Sequence, residues 1–527
     1  MKKKLTLYML AVSLGATSLI SACTNLDEEV YSEVLASEFK PTENDLPYII
    51  APAYSVMRGL TLGWQGYLDL QEEAADAIVT PARPNGWYDG GTYLRMHQHT
   101  WTPLQGQPNN LWANSFRGIT NVNRTVSQIE DGSIPVTVGK EALIAELRGL
   151  RAFYYYLLLD NHGNVPIVTD YKDVAVPKQS TRQELYTFVI KEFTEVMPLL
   201  SDKVDVSTYG RMNKWAAKTT LAKIYLNAAV YTGTPQWEKC IQECNEVIAS
   251  GKYSLDPNYR DVFRTENQNS KEIIFAVPYD ELNGTGNIVH MKTLSPLSRN
   301  VYPLIVTPWG GNAAVPQFIN TYDPQDGRLK DTWIQGPQRN AAGGLIIDYV
   351  NFIPGIDKSL DNQGYRIGKY EIKAGARDNL SNDFPFLRYA DVLLMKAESL
   401  LRTGKAAEAA TLVTQVRQRS FANTNPAKAA VTGAQLMEGS SYQYGYVVNG
   451  VVTEPTGGAD IQFGRFMDEL GWEFAAEAHR RQDLIRFGVF TNKTWFNHRP
   501  NGAFRTIYPI PQGEMNKNPN LKQNTGY

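Results

Sequence analysis

Glu72, Glu73 and Asp76 are the first group in this chain whose types and spacing could do chemistry. Cleaving a glycosidic bond takes two carboxyl groups about 5 to 10 Å apart across a sugar. Glu72 and Asp76 stand four residues apart in a stretch, 68–78, whose apolar spacing predicts a helix, so they share one of its faces. A solvated face is the expectation for them, not a catalytic pair. His97-Gln98-His99 offers two imidazoles from one face of a strand, but no third metal ligand accompanies them. Cys240 and Cys244 are also four apart, in a helical pattern with poor geometry for a disulfide, and are expected as buried small hydrophobes. No Gly-x-Ser-x-Gly elbow and no phosphate-binding loop occurs. The expectation is a protein without catalytic residues, cofactor or metal.

The elements that would position any site are mostly helices. Helical periodicity is predicted for 44–60, where Pro47 and Pro52 disturb the first half, and for 110–129 and 141–160. The last of these carries a dense aromatic band and ends at Gly163 and Pro166, in the order that stops a helix. Thr181 and Glu184 are spaced as a capping box at the start of a helix over 181–200. Two helical hairpins follow, 214–231 with 236–250 and 391–402 with 406–420, each turning on a Thr-Gly. This is the grammar of tetratricopeptide (TPR) helix pairs, where neither helix buries its face alone. A further helix is predicted for 463–487, then an extended tail.

Between the elements lie loops rich in Gly, Pro and aromatic residues. In 81–91 two prolines, three glycines and an asparagine disfavour regular structure and present Trp87 and Tyr88. The region 253–383 is poor in helical periodicity, with strand-like pieces at 272–277 and 344–350, and it carries Tyr302, Trp309 and Trp333. A second loop-rich region covers 422–459. With 52 basic against 54 acidic residues, nothing supports nucleic-acid binding, which would want a basic face.

The N-terminus has its own logic. Lys2, Lys3 and Lys4 precede an apolar run over 5–20 that is too short for a comfortable membrane span, as in a secretory signal. Ile20-Ser21-Ala22-Cys23 resembles the bacterial lipobox, in which the cysteine thiol is lipidated and becomes the first mature residue. One acyl chain holds a protein only marginally, so the triacylated Cys23 that this implies would be a firm anchor. The acidic Asp27-Glu28-Glu29 that follows resembles the surface-export signal of Bacteroidota lipoproteins.

Five segments together resemble the SusD/RagB family of outer-membrane nutrient-binding lipoproteins. They are 147–156 with 163–168, 210–218 leading into 221–227, 386–398, 473–484, and 508–511 with 518–524. Gln482 and Thr525 depart from the family's usual residues. The resemblance implies a mostly α, SusD-like fold: a TPR-like helix-pair scaffold with long irregular loop and short-strand insertions. The expected organisation is a signal peptide (1–22), a lipidated tether (23–40) and a helical scaffold with a first ligand loop near 80–100 (41–252). A loop-rich insertion with aromatic ligand-binding elements (253–382) and C-terminal helix pairs with a second insertion and the tail (383–527) complete it. Arg148, Arg151, Arg388, Glu398, Glu477 and Arg481, which lie in these motifs, are expected as ion pairs fixing helix packing.

The resemblance also implies glycan capture at the cell surface and delivery to a SusC-like TonB-dependent transporter. A sugar ring has an apolar C–H face and a polar rim, which suit flat aromatics flanked by Arg, Asn and Asp. The expected contacts are Arg83, Asn85, Trp87 and Tyr88 on the first loop and Tyr302, Trp309 and Trp333 from the insertion. Trp87 and Trp309 are favoured because flanking glycines would leave a ring accessible. The RagB branch implies peptide as the alternative cargo, and a glycoside hydrolase is a third, remote reading.

Overall fold

The computed structural model describes residues 42–84 and 88–527, so Cys23, Asn85 and Trp87 lie outside the described residues. The helices Leu46–Thr61, Gly106–Glu130, Lys140–Asn161 and Arg182–Val196 pack in sequence, each against the next. The capping box forms as the spacing predicts, with Thr181 accepting from the Glu184 backbone N–H and the Glu184 side chain reaching back. Lys214–Leu226 then packs on Trp237–Ala249, and Tyr389–Arg402 on Ala406–Phe421. Trp237–Ala249 also packs directly on Tyr389–Arg402, so the two Thr-Gly hairpins are neighbours in space. The long insertion therefore loops out between consecutive members of one helical stack. Cys240 and Cys244 are free thiols buried in that contact.

Strands are short and sit in two-stranded antiparallel sheets among the described residues. Ile273–Val277 pairs with Phe384–Arg388, and the latter runs straight into the Tyr389–Arg402 helix. Ile78–Val79 pairs with Ala313–Ala314, in register Ile78 to Ala314. This second pairing brings the insertion alongside the first loop.

Three helical expectations need correction. The 68–78 helix stops at Glu72, because the next residues turn and the chain is drawn into pairing with Ala313–Ala314. The 214–231 helix breaks at Asn227, whose side chain caps the Lys223 carbonyl and accepts from Arg486. The 463–487 helix is two helices, Gly464–Phe474 and Arg480–Arg486. In the turn between them Ala476 and Ala478 adopt left-handed backbone angles, φ 62° and 64°. Left-handed backbone costs a non-glycine residue roughly 1–2 kcal/mol. Tertiary bonds outweigh it here: Lys369 Nζ donates to Ala475 O (2.8 Å), Tyr370 Oη to Ala476 O (2.8 Å), and Ala478 N to Glu72 Oε1 (2.9 Å).

The ion pairs expected in the motifs are present. Arg148 and Arg151 both hold Glu192, Glu398 joins Arg402 to Arg486, and Arg481 reaches Asp160. Arg388 sits at the centre of a buried network with Glu272, Glu473 and Glu477.

Candidate functional site

Three segments distant in sequence converge on one surface. The first, Gly63-Trp64-Gln65-Gly66, follows the opening helix; the second is the loop after Thr80; the third is Trp309-Gly310-Gly311 of the insertion. The strand pairing of 78–79 with 313–314 sets the second and third side by side. Trp309 N–H donates to Met291 O (2.8 Å) and Gly311 N–H to Lys292 O (2.7 Å). Lys292 Nζ in turn donates to Gly63 O (2.9 Å) and pairs with Asp69 (2.8 Å). Trp64 and Trp309 meet edge to face, with ring centroids 5.5 Å apart. Trp64 is 42% exposed, and Trp309 is partly exposed.

Two glycines make this approach possible. Gly310 has φ +76°, and a Cβ there would lie 3.1 Å from Pro296 Cδ. A Cβ on Gly63 would fall 2.5 Å from Gly59 O, well inside contact distance. Tyr88 is 58% exposed, with its hydroxyl over Gly91.

The other expected residues divide. Arg83 is 6% exposed and works as a strut, which corrects the expectation of a ligand-facing guanidinium. It donates to Gly311 O (3.4 Å), Ser359 Oγ (3.2 Å) and Leu360 O, and so fastens the root of the first loop to the Trp309 turn. Trp333 is 1% exposed, packs on Phe318 and donates its indole N–H to Tyr322 Oη (3.3 Å). It is a core residue, because its strand pairs with Arg366–Ile367 and turns the ring inward. Tyr302 is half-buried and lines a shallow cleft of about 770 Å³ with Arg260, Lys330 and Gln335; Trp309 is not among its walls. Sequence reasoning missed Trp64, although its flanking Gly63 and Gly66 are the same signal that favoured Trp309.

The titratable groups considered for catalysis are inside the protein. Glu72, Glu73 and Asp76 are buried, which corrects the expectation of a solvated helix face. Asp76 is clamped by Arg480 (2.6 and 3.0 Å) and accepts from Tyr444 Oη (2.7 Å). Thr80 Oγ1 donates to Glu73 (2.6 Å). His97 closes a short helix and is not in a strand. His99 stacks among Phe490, Trp101 and His498, and its Nε2 lies 2.8 Å from Ala74 O as donor. Burial pushes His97 and His99 down to about 3. Among the described residues no group of three or more His, Cys, Asp or Glu side chains is arranged to hold a metal ion.

The fold is that of the SusD-like proteins. A laminarin-binding SusD-like protein superposes with a TM-score of 0.71 at 22% identity, over 92% of this chain and 100% of that one. Surface glycan-binding protein A from Bacteroides thetaiotaomicron, solved in complex with laminarihexaose, gives 0.68 at 19% identity over 92% and 99%. Both halves of the chain match SusD-type family models. The SusD family model matches residues 316–506, and a second model, described as starch-binding and associating with the outer membrane, matches residues 32–226. The starch-binding protein SusD of Bacteroides thetaiotaomicron is 26% identical over 84% of this chain and 82% of its own length.

Proposed function

We propose that this chain captures oligo- or polysaccharide on the surface where Trp64 and Trp309 meet, with Tyr88 on the neighbouring loop as a further contact, and passes it to a SusC-like TonB-dependent transporter. The observation that carries this reading is the meeting of two indoles at the surface, at the root of the loop that bears Asn85, Trp87 and Tyr88. Rigid rings offer apolar area at low conformational cost, which suits the C–H face of a sugar. The names of the relatives, starch-binding and laminarin-binding, support the ligand class. The description of the matched model as associating with the outer membrane supports the location. A lipid on Cys23 would hold the protein there.

Titration of the full chain against a panel of polysaccharides and peptides tests the ligand class. Binding of a glycan without release of reducing ends is the expected result, while binding of peptides alone would overturn it. Trp87→Ala and Trp309→Ala are each expected to weaken glycan binding about tenfold or more, as for a central aromatic anchor. Unchanged affinity in both variants would remove these residues from the site. Cys23→Ala should move the protein from the membrane fraction to the soluble fraction; retention with the membrane would sink the anchor.

A further inference from the structure

Arg83 and Arg366 are two buried cations with no ion pair. Arg83, at the root of the first loop, is 6% exposed, and Arg366, on the strand that pairs with Trp333–Ile334, is 0% exposed. Both guanidiniums donate to the same oxygen, Gly311 O, at 3.4 Å, so two like charges lie side by side. Their other partners are neutral. Arg83 reaches Ser359 Oγ (3.2 Å) and Leu360 O. Arg366 reaches Asn312 O (3.2 Å) and the backbone oxygen of Asp361 (2.7 Å), and it faces Tyr349. Among the described residues no carboxylate comes within 4.0 Å of either guanidinium. Arg388, equally buried, holds three of them directly.

Two N–H-bearing nitrogens, Arg83 Nη2 and Arg366 Nε, are shut from solvent and have no acceptor. A buried charge without a counter-charge is strongly destabilising, and a guanidinium does not give up its proton in a protein. Burial pushes both groups down, and Arg366 pushes Arg83 down further. Asp361 is near enough to favour both charges, but it is one carboxylate for two cations and leaves one positive charge over. Its own Oδ1 is buried without a donor, so it does not reach them. Nitrogens closed off in this way are out of reach of a sugar or a bulky carboxylate, which leaves a small inorganic anion to complete the balance. We propose that Arg83 and Arg366 together hold a buried anion of the halide class on their free N–H groups. The bound ion ties the root of the first loop to the 311–312 turn and the 359–361 loop, the segments whose oxygens the two arginines already engage.

Urea unfolding of the full chain, with sodium chloride replacing sodium gluconate at constant ionic strength, tests this. Gluconate is too large for the site. The unfolding constant should therefore fall about tenfold or more from gluconate to chloride, as for an ion present at about ten times its Kd. Arg366→Met removes one cation and leaves Asp361 to balance Arg83, so its unfolding constant should be the same in the two salts. Crystals of the wild-type protein grown in bromide should show an anomalous peak within hydrogen-bonding reach of Arg83 Nη2 and Arg366 Nε, a readout that does not depend on how the variant folds. A wild-type unfolding constant indifferent to chloride, or a site empty of bromide, would overturn the inference and leave Asp361 and water to neutralise the pair. A chloride dependence that survives unchanged in Arg366→Met would place the anion elsewhere and overturn it too.

Discussion

Replacing Arg388 by methionine should cost the protein about 3–5 kcal/mol or prevent it from folding, the usual consequence of removing one partner from a buried charge network. Arg388 is fully buried and spends all of its donors on three carboxylates and a carbonyl. It reaches Glu272 at 2.7 Å, Glu473 at 2.8 Å and Glu477 at 2.7 Å. Burial works against its charge, and Glu477, Glu473 and Glu272 outweigh that and keep the guanidinium protonated. Glu473 is shared with Arg328 and Arg419, Glu477 with Lys369, and Glu272 with Arg419. These residues come from the 273–277 strand entry, the insertion, the Ala406–Phe421 helix, the Gly464–Phe474 helix and the turn that follows it. The network therefore bolts the insertion to the scaffold, and methionine would leave three carboxylates short of a cation. The midpoint of guanidinium denaturation, followed by circular dichroism, reads this directly. Arg499→Ala, which breaks an exposed pair with Glu454, is the control and should leave the midpoint in place. An Arg388→Met midpoint as close to wild type as the control's would show that the network contributes no net stability.

Much of this scaffold was legible in the residues, because its signals are local. The apolar period, the Thr181–Glu184 box and the two Thr-Gly turns each act within a few residues; the box and both turns form where their signals lie, while the periods over 68–78, 214–231 and 463–487 overrun the helices that form. The charged residues of the motifs were legible as ion pairs for a similar reason: an arginine among apolar helical neighbours needs a partner. What local pattern could not show was where distant chain would supply that partner. Asp76 is clamped by a residue 404 positions away, so a carboxylate that looked solvated is buried. The turn at Ala475–His479 reads as helix by composition and is broken by Lys369, Tyr370 and Glu72. At the surface, the rule that glycines bare an aromatic ring located Trp309 and applied equally to Trp64. For Trp333 and Arg83 only the paired strands and loop carbonyls around them decide that they are buried.

Glu73→Gln should make the protein more stable at alkaline pH and leave it little changed at pH 5. Burial pushes Glu73 up to about 8 from an ordinary 4.5, against hydrogen bonds from Thr80 and Asn312, so the folded protein holds it protonated at pH 7. Below 4.5 both folded and unfolded chains carry this proton, and its contribution to stability is fully present. Between 4.5 and about 8 the unfolded chain releases the proton and the folded one retains it, so stability falls as pH rises. Above 8 both have released it and the loss is complete. Glu72, also pushed up to about 8 by burial, acts with the same sign. The opposite limb belongs to the histidines: burial lowers His97 and His99 to about 3 and His162 and His290 to about 4. Their contribution is present above 6.5 and is lost as pH falls toward those values. Glutamine keeps an oxygen to accept from Thr80 Oγ1 and has no proton to lose, so it removes one step of the alkaline limb alone. Each tenfold difference in proton affinity between the folded and unfolded chains is worth roughly 1.4 kcal/mol, so the variant should gain on the order of a few kcal/mol over wild type by pH 9. Urea midpoints of both proteins at pH 5, 7 and 9 measure this, and parallel curves would show that Glu73 does not hold its proton in the folded state.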